Sequence, residues 1–149
     1  MLTTNMEAIS TTSLNAKRDE LVAIIDTVLK QAKTLGATAA EADIGAGAGL
    51  SANVRMGEID KLEFERDKGL SVTLYVNGQK GSASTSDFSK AALEKTVTAA
   101  HSIAVYASHD KYAGLVDAGE MAKDIPDLDL FHPWSISPEQ AIEMAKECE

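Results

Sequence analysis

The sequence predicts an α+β fold, an antiparallel β-meander sheet with helices packed on one face. Three observations carry this reading. Residues 50–85 break into short runs of strand character separated by glycine-bearing turns. Apolar residues recur at helical spacing in residues 21–32 and again in 93–104. Ser137-Pro138-Glu139-Gln140 then has the form of a helix opening, with Ser at the cap, Pro in the first turn and Gln three residues on. A chain of 149 residues has room for one domain with its own core.

Taken in order, residues 1–14 are rich in Ser and Thr and unpatterned, so a disordered tail is expected there. A single domain over 15–149 follows. Asn15 or Ser13 caps a first helix, with Asp19 and Glu20 near its positive end. Leu21, Ile24, Ile25, Val28, Leu29 and Ala32 make its apolar stripe, and Gly36 stops it. A short strand at 40–44 leads into a loop, Gly45-Ala46-Gly47-Ala48-Gly49. Four strands are then expected at 50–56, 59–66, 70–76 and 79–85, turning at Gly57, Asp67-Lys68-Gly69 and Asn77-Gly78. In the third of these Leu70, Val72, Leu74 and Val76 alternate with Ser71, Thr73 and Tyr75, the period of a half-buried strand. Asn77-Gly78 supplies the positive φ angles of a two-residue type I′ hairpin.

Ser89 caps a second helix from Lys90 to about Ala107, burying Leu93, Val97, Ala100 and Ala104 with Ile103 alongside. Residues 108–136 are too long for a simple loop and read as an extended connection packed on a neighbour. The third helix has no stop signal before Glu149, so the chain reads as an N-terminal fragment of a longer protein, its C-terminal domain absent.

Composition excludes several functions. Twenty-three acids against 14 bases give a net charge of -9, the wrong sign for a phosphate backbone, so no nucleic-acid partner is expected. No apolar run is long enough to span a bilayer; the best, residues 21–29, is interrupted by Asp26. MLTTNMEAIS lacks the basic and apolar regions of a signal peptide, and a cytoplasmic location is expected. Cys148 is the one cysteine; it makes no intrachain disulfide and is read as a small core residue.

His101, His109 and His132 lack the four-residue spacing that places two imidazoles on one zinc, and His101 is read as a boundary residue of its helix. Asp124, Asp127, Asp129 and His132 are the one oxygen-rich cluster with a histidine, but in an extended segment the acids face away from Leu128, Leu130 and Phe131, which read as anchors. The glycines at 45, 47 and 49 precede strands rather than a helix, so no dinucleotide turn is formed. Lys80-Gly81-Ser82 has the residue types of a phosphate loop in the wrong order. Ser82, Ser84 and Ser86 share a strand face with no histidine near in sequence to activate them. No catalytic, cofactor-binding or metal residue is therefore assigned. A binding surface remains: a sheet edge can take an extended peptide, and Asp60, Glu63 and Glu65 give the second strand an acidic character.

Two segments together carry a resemblance. GLSVTLYVNGQKGSASTSDFS (69–89) and PDLDLFHP (126–133), with VTAAHSIAVYAS between them, resemble the TldD/PmbA family of peptidases, closer to its PmbA-like branch. The resemblance covers residue 15 to the end. It implies a cytoplasmic protein much longer than this chain, in which an α/β region precedes a β-rich one. TldD-like and PmbA-like subunits of the family pair around a cavity where unfolded peptides are cut, held as an added strand. The TldD-like subunit brings zinc on an H-E-x-x-x-H helix, its Glu acting as general base. No position here matches that motif, so no catalytic residue carries over and zinc is expected in the partner or complex. The expected partners are a TldD-like subunit and unfolded peptides, together with self-association through apolar surface. The alternative is a free-standing, non-enzymatic module that binds a partner along a sheet edge.

Overall fold

The structure is a computed structural model that describes residues 11–149 apart from 131 and 133, and the side chains from residue 17 onward. Of the tail expected at residues 1–14, residues 1–10 lie outside the described residues, and residues 11–14 lie in the first helix instead. Among the described residues three helices and three antiparallel strands follow one another as α1 (Thr11–Thr34), β1 (Ala39–Arg55), β2 (Glu58–Val76), β3 (Gln79–Thr85), α2 (Lys90–Tyr106) and α3 (Pro138–Cys148). The strands form an open sheet in the order β1-β2-β3. The α+β class expected from the sequence is thus the one observed.

Three details of the expected elements are corrected. The strand at 40–44, the glycine loop and the strand at 50–56 are one strand, β1, and the expected turn at 67–69 lies inside β2. None of Gly45, Gly47, Gly49 and Gly69 takes a positive φ, which is confined among glycines to Gly36, Gly57 and Gly78. Turn composition permits a turn; pairing along a long ladder keeps these residues extended instead. At the N-terminal side, α1 starts at Thr11 rather than after Ser13 or Asn15, so Asp19 and Glu20 lie beyond its first turn and gain little from the dipole.

The chain divides into two compact units. One comprises Lys17–Gly45 and Lys68–Pro126. Its core is Val28 and Ala32 of α1, Leu70, Val72 and Leu74 of β2, and Leu93, Val97 and Ala100 of α2. Those are the apolar positions the two periodicities select. Ala104 is also fully buried, whereas Ile103, expected beside it, is 50% exposed. Thr96 is buried on the same helix and satisfies its hydroxyl on the Ala92 carbonyl at 2.8 Å. Helix α1 ends in a Schellman motif: the Ala37 N–H donates to the Ala32 carbonyl at 3.2 Å and the Gly36 N–H to the Lys33 carbonyl at 3.1 Å, with Gly36 at φ +89°.

The other unit comprises residues 11–16, Ala46–Asp67 and Asp127–Glu149. It holds a hairpin arm of β1 and β2 turning at Met56-Gly57, and α3. The opening of α3 is as read: Ser137 accepts from the Gln140 N–H at 3.2 Å, and the Gln140 carboxamide accepts from the Ser137 N–H at 2.9 Å. Ile142 is its buried residue. Cys148, expected in a core, is exposed. Leu128 and Leu130, expected as anchors, are exposed as well, at 65% and 83%. Their segment has no ladder or helix to press them against a layer. Phe131 lies outside the described residues.

Candidate functional site

The motif-rich segment 70–89 is built around the β2–β3 hairpin. Asn77 and Gly78 take φ of 50° and 80°, the two left-handed positions of the expected type I′ turn. The register runs from Val76↔Gln79 to Leu70↔Thr85. Leu74, Val72 and Leu70 therefore share the helix-facing side with Gly81, Ala83 and Thr85, and Ser71, Thr73 and Tyr75 share the opposite side with Ser84, Ser82 and Lys80.

On the helix-facing side Gly81 allows an unusually close approach. A Cβ built on it would lie 2.2 Å from the Ala100 carbonyl oxygen and 2.3 Å from the Ala104 nitrogen. Gln79 reaches the end of the same helix, its carboxamide donating to the carbonyls of Ala107 at 2.6 Å and Val105 at 3.2 Å. Those are last-turn acceptors that a helix leaves without partners. The turn itself is held from outside, as the Asp110 N–H donates to the Gly78 carbonyl at 2.7 Å. Asn77, Gly78, Gln79 and Gly81 of the signature are thus spent on a turn, a helix cap and a close packing. Sequence reasoning offered close packing of small residues for this segment; the role of Gln79 carried no signal, because a capping partner lies 26 to 28 residues away.

The opposite side is polar. Thr73 and Ser82 hydroxyls meet at 2.9 Å, and Tyr75 donates to the Glu41 carboxylate at 2.9 Å. The Lys80 ammonium lies 5.8 Å from the Tyr75 ring centre. Tyr75 is 6% exposed despite its side of the sheet, and burial, then the hydrogen bond and charge of Glu41, hold its hydroxyl above its ordinary pKa. Ser82 and Ser84 share this face as expected, while Ser86 lies past the end of β3. Ser82 has the Thr73 hydroxyl for a partner rather than an imidazole, so no base is in place to activate it as a nucleophile.

Elsewhere the acidic residues near His132 do not converge. The Asp129 N–H donates to the Asp127 carboxylate at 2.9 Å in a local turn, and His132 lies 3.9 Å from Asp129, both exposed. Among the described residues no group of three His, Cys, Asp or Glu side chains is arranged to hold a metal. His101 is half-buried on α2, in keeping with a boundary position. A shallow groove of about 700 Å³ runs between α1 and α2, past Ile24, Thr27, Gln31, Phe88 and Leu93. Gln31 crosses it, donating to the Glu94 carbonyl at 3.1 Å. Finally, β3 pairs with β2 from Leu70 to Val76, so residues 58–69 of β2, with Asp60, Glu63 and Glu65, extend past it as an edge. No described helix is long and apolar enough to cross a membrane.

An open antiparallel sheet with a glycine seat for its covering helix is the class these observations define. The model of the family described as PmbA/TldA metallopeptidase domain 1 matches residues 40–104, which holds β2, β3 and most of α2. The chain is 41% identical over 136 residues to "Metalloprotease PmbA" of Escherichia coli O157:H7, covering 91% of this chain and 30% of that protein. It is 40% identical over 140 residues to a "Metalloprotease PmbA homolog" of Haemophilus influenzae, covering 94% and 31%. The crystal structure of a Bacteroides thetaiotaomicron protein named for modulation of DNA gyrase superposes with a TM-score of 0.76 at 27% identity, over 93% of this chain and 30% of that one. TldE from Thermococcus kodakarensis shares the fold, with a TM-score of 0.66 at 15% identity over 83% and 28%. The chain belongs to the PmbA/TldD family and carries its first domain. It spans about 30% of the length of the curated relatives it matches first. Their names imply a metal in the family, and the described residues here do not fit one.

Proposed function

We propose that this chain is the N-terminal, chamber-shaping and subunit-pairing domain of a PmbA-like component of a cytoplasmic zinc metallopeptidase complex that cleaves unfolded peptides. The observation that carries the reading is the 41% identity, over nearly the whole chain, to a protein named Metalloprotease PmbA. The use of the signature residues supports a scaffold role: Asn77, Gln79 and Gly81 set a turn, a cap and a helix seat, leaving zinc and general base to a TldD-like subunit. The β2 edge at residues 58–69 offers main-chain groups to an extended peptide, with acids that favour a basic one.

The test is a pull-down and peptidase assay with the TldD-like subunit of the same organism. The purified chain is expected to bind that subunit and to compete with the longer PmbA-like protein for it, lowering peptide cleavage by the pair. Binding of peptide along the edge with no affinity for the TldD-like subunit would replace this reading with the free-standing interaction module.

A further inference from the structure

The tip of the β1–β2 hairpin holds a carboxylate. Met56 and Gly57 lie between the two strands with φ of 54° and 73°. Two successive left-handed residues leave both amide N–H groups outside the strand ladder and turned outward, the kind of turn that makes a small anion-binding concavity. Both are occupied by one side chain. The Met56 N–H donates to Oε1 of Glu149, and the Gly57 N–H donates to its Oε2 at 2.8 Å. Each carboxylate oxygen thus takes one amide, a matched two-point contact.

We propose that the Met56-Gly57 amide pair is a carboxylate receptor, with Glu149 as its resident ligand clasping α3 to the hairpin tip. The helix is suited to the task. Ile142, its buried residue, precedes Glu149 by seven positions, two helical turns, so the apolar contact and the carboxylate lie on one side. The site is exposed, so withdrawing Glu149 hands both amides to water rather than stranding them. The clasp is therefore reversible, and an external carboxylate can take the vacated seat. The Asn77-Gly78 turn has the same pair of left-handed angles but is held differently, through the Gly78 carbonyl and the Thr38 hydroxyl, so it serves as an internal control.

The test is amide hydrogen exchange and amide chemical shifts on the full chain, comparing the wild type with Glu149→Ala and Glu149→Gln. In Glu149→Ala the Met56 and Gly57 amides are expected to exchange about tenfold faster and to lose their downfield position, with Asn77 unchanged. Glu149→Gln, which keeps one acceptor oxygen, is expected to fall between. Sodium acetate is expected to return both amides of Glu149→Ala toward their wild-type shifts while leaving the wild type unmoved. Unchanged Met56 and Gly57 amides in Glu149→Ala overturn the proposal, as does acetate moving neither protein or moving both alike. A change that extends to Asn77 in both variants reports general unfolding and overturns the local clasp.

Discussion

Gly81 of β3 and Ala104 of α2 are in contact through their backbones: a Cβ on Gly81 would stand 2.3 Å from the Ala104 nitrogen and 2.9 Å from its Cα. The helix contributes to this closeness, since Ala100 and Ala104 are both fully buried. Glycine opposite alanine lets the helix axis approach the sheet more nearly than any pair with larger side chains allows.

Gly81→Ala should therefore be among the most damaging conservative changes in the chain. The methyl group meets backbone atoms that no rotamer change can move, so a loss of about 3 kcal/mol or more is expected. Gly47→Ala, with nothing within 4 Å of its Cβ position, should stay within about 0.5 kcal/mol of the wild type. Urea unfolding midpoints of the two variants check this, and equal midpoints would refute the packing argument.

Gln79→Ala removes the donors that satisfy the Val105 and Ala107 carbonyls. A cost of about 1–2 kcal/mol is expected, with faster hydrogen exchange in the last turn of α2. Gln79→Glu should cost more than Gln79→Ala, because it sets a negative charge and no donors against a helix C-terminus. The reverse order in a denaturation series would show that the carboxamide is not a cap.

The start of α2 should fail in acid. Asp87 accepts from the Ser89 N–H at 2.8 Å and from the Ser89 hydroxyl at 3.0 Å. The backbone N–H, then the hydroxyl, then the charge of Lys68 hold its carboxyl below the usual aspartate value. A depressed folded-state pKa contributes stability above the unfolded value of about 3.9 and loses it as pH falls through the lower, folded one. Wild type and Asp87→Asn should thus differ in stability at neutral pH and converge only well below pH 3.9. Convergence above that value would contradict the shift.

Tyr75 predicts the opposite limb. Its folded-state pKa is raised by burial first and by Glu41 second, so its contribution is complete below the ordinary tyrosine value of about 10 and is lost as pH climbs through the raised one. Tyr75→Phe should cost about 1 kcal/mol near neutrality and lack the alkaline loss that the wild type shows. Parallel stability curves for the two proteins from about pH 8 upward would count against it.

Much of the fold was legible because its signals are local. The Asn77-Gly78 turn, the Ser89 cap and the Ser137-Gln140 capping box each depend on residues within a few positions of one another, and all three are observed. The buried faces of α1 and α2 follow from periodicity alone. Where reading went astray, the deciding partner was distant. The glycines at 45–49 and the triplet at 67–69 have turn composition, yet strand pairing keeps both extended. Cys148 has a residue type common in cores and Ile103 a core-side helix position, yet both are exposed, because neither property says which face finds a neighbour.

By itself the sequence determined the class of fold, its turns and caps, the core-facing residues of α2 and β2, and a family resemblance that the comparisons sustain. Backbone propensity and side-chain period are written into consecutive residues, so they survive without coordinates. Tertiary structure alone decided that Gly81 seats a helix, that Gln79 caps it, that Tyr75 is buried on Glu41, and that Glu149 reaches the Met56-Gly57 turn. Each of these joins groups between 19 and 93 residues apart in sequence, and such a contact depends on the path of the whole chain between them, which no local pattern encodes.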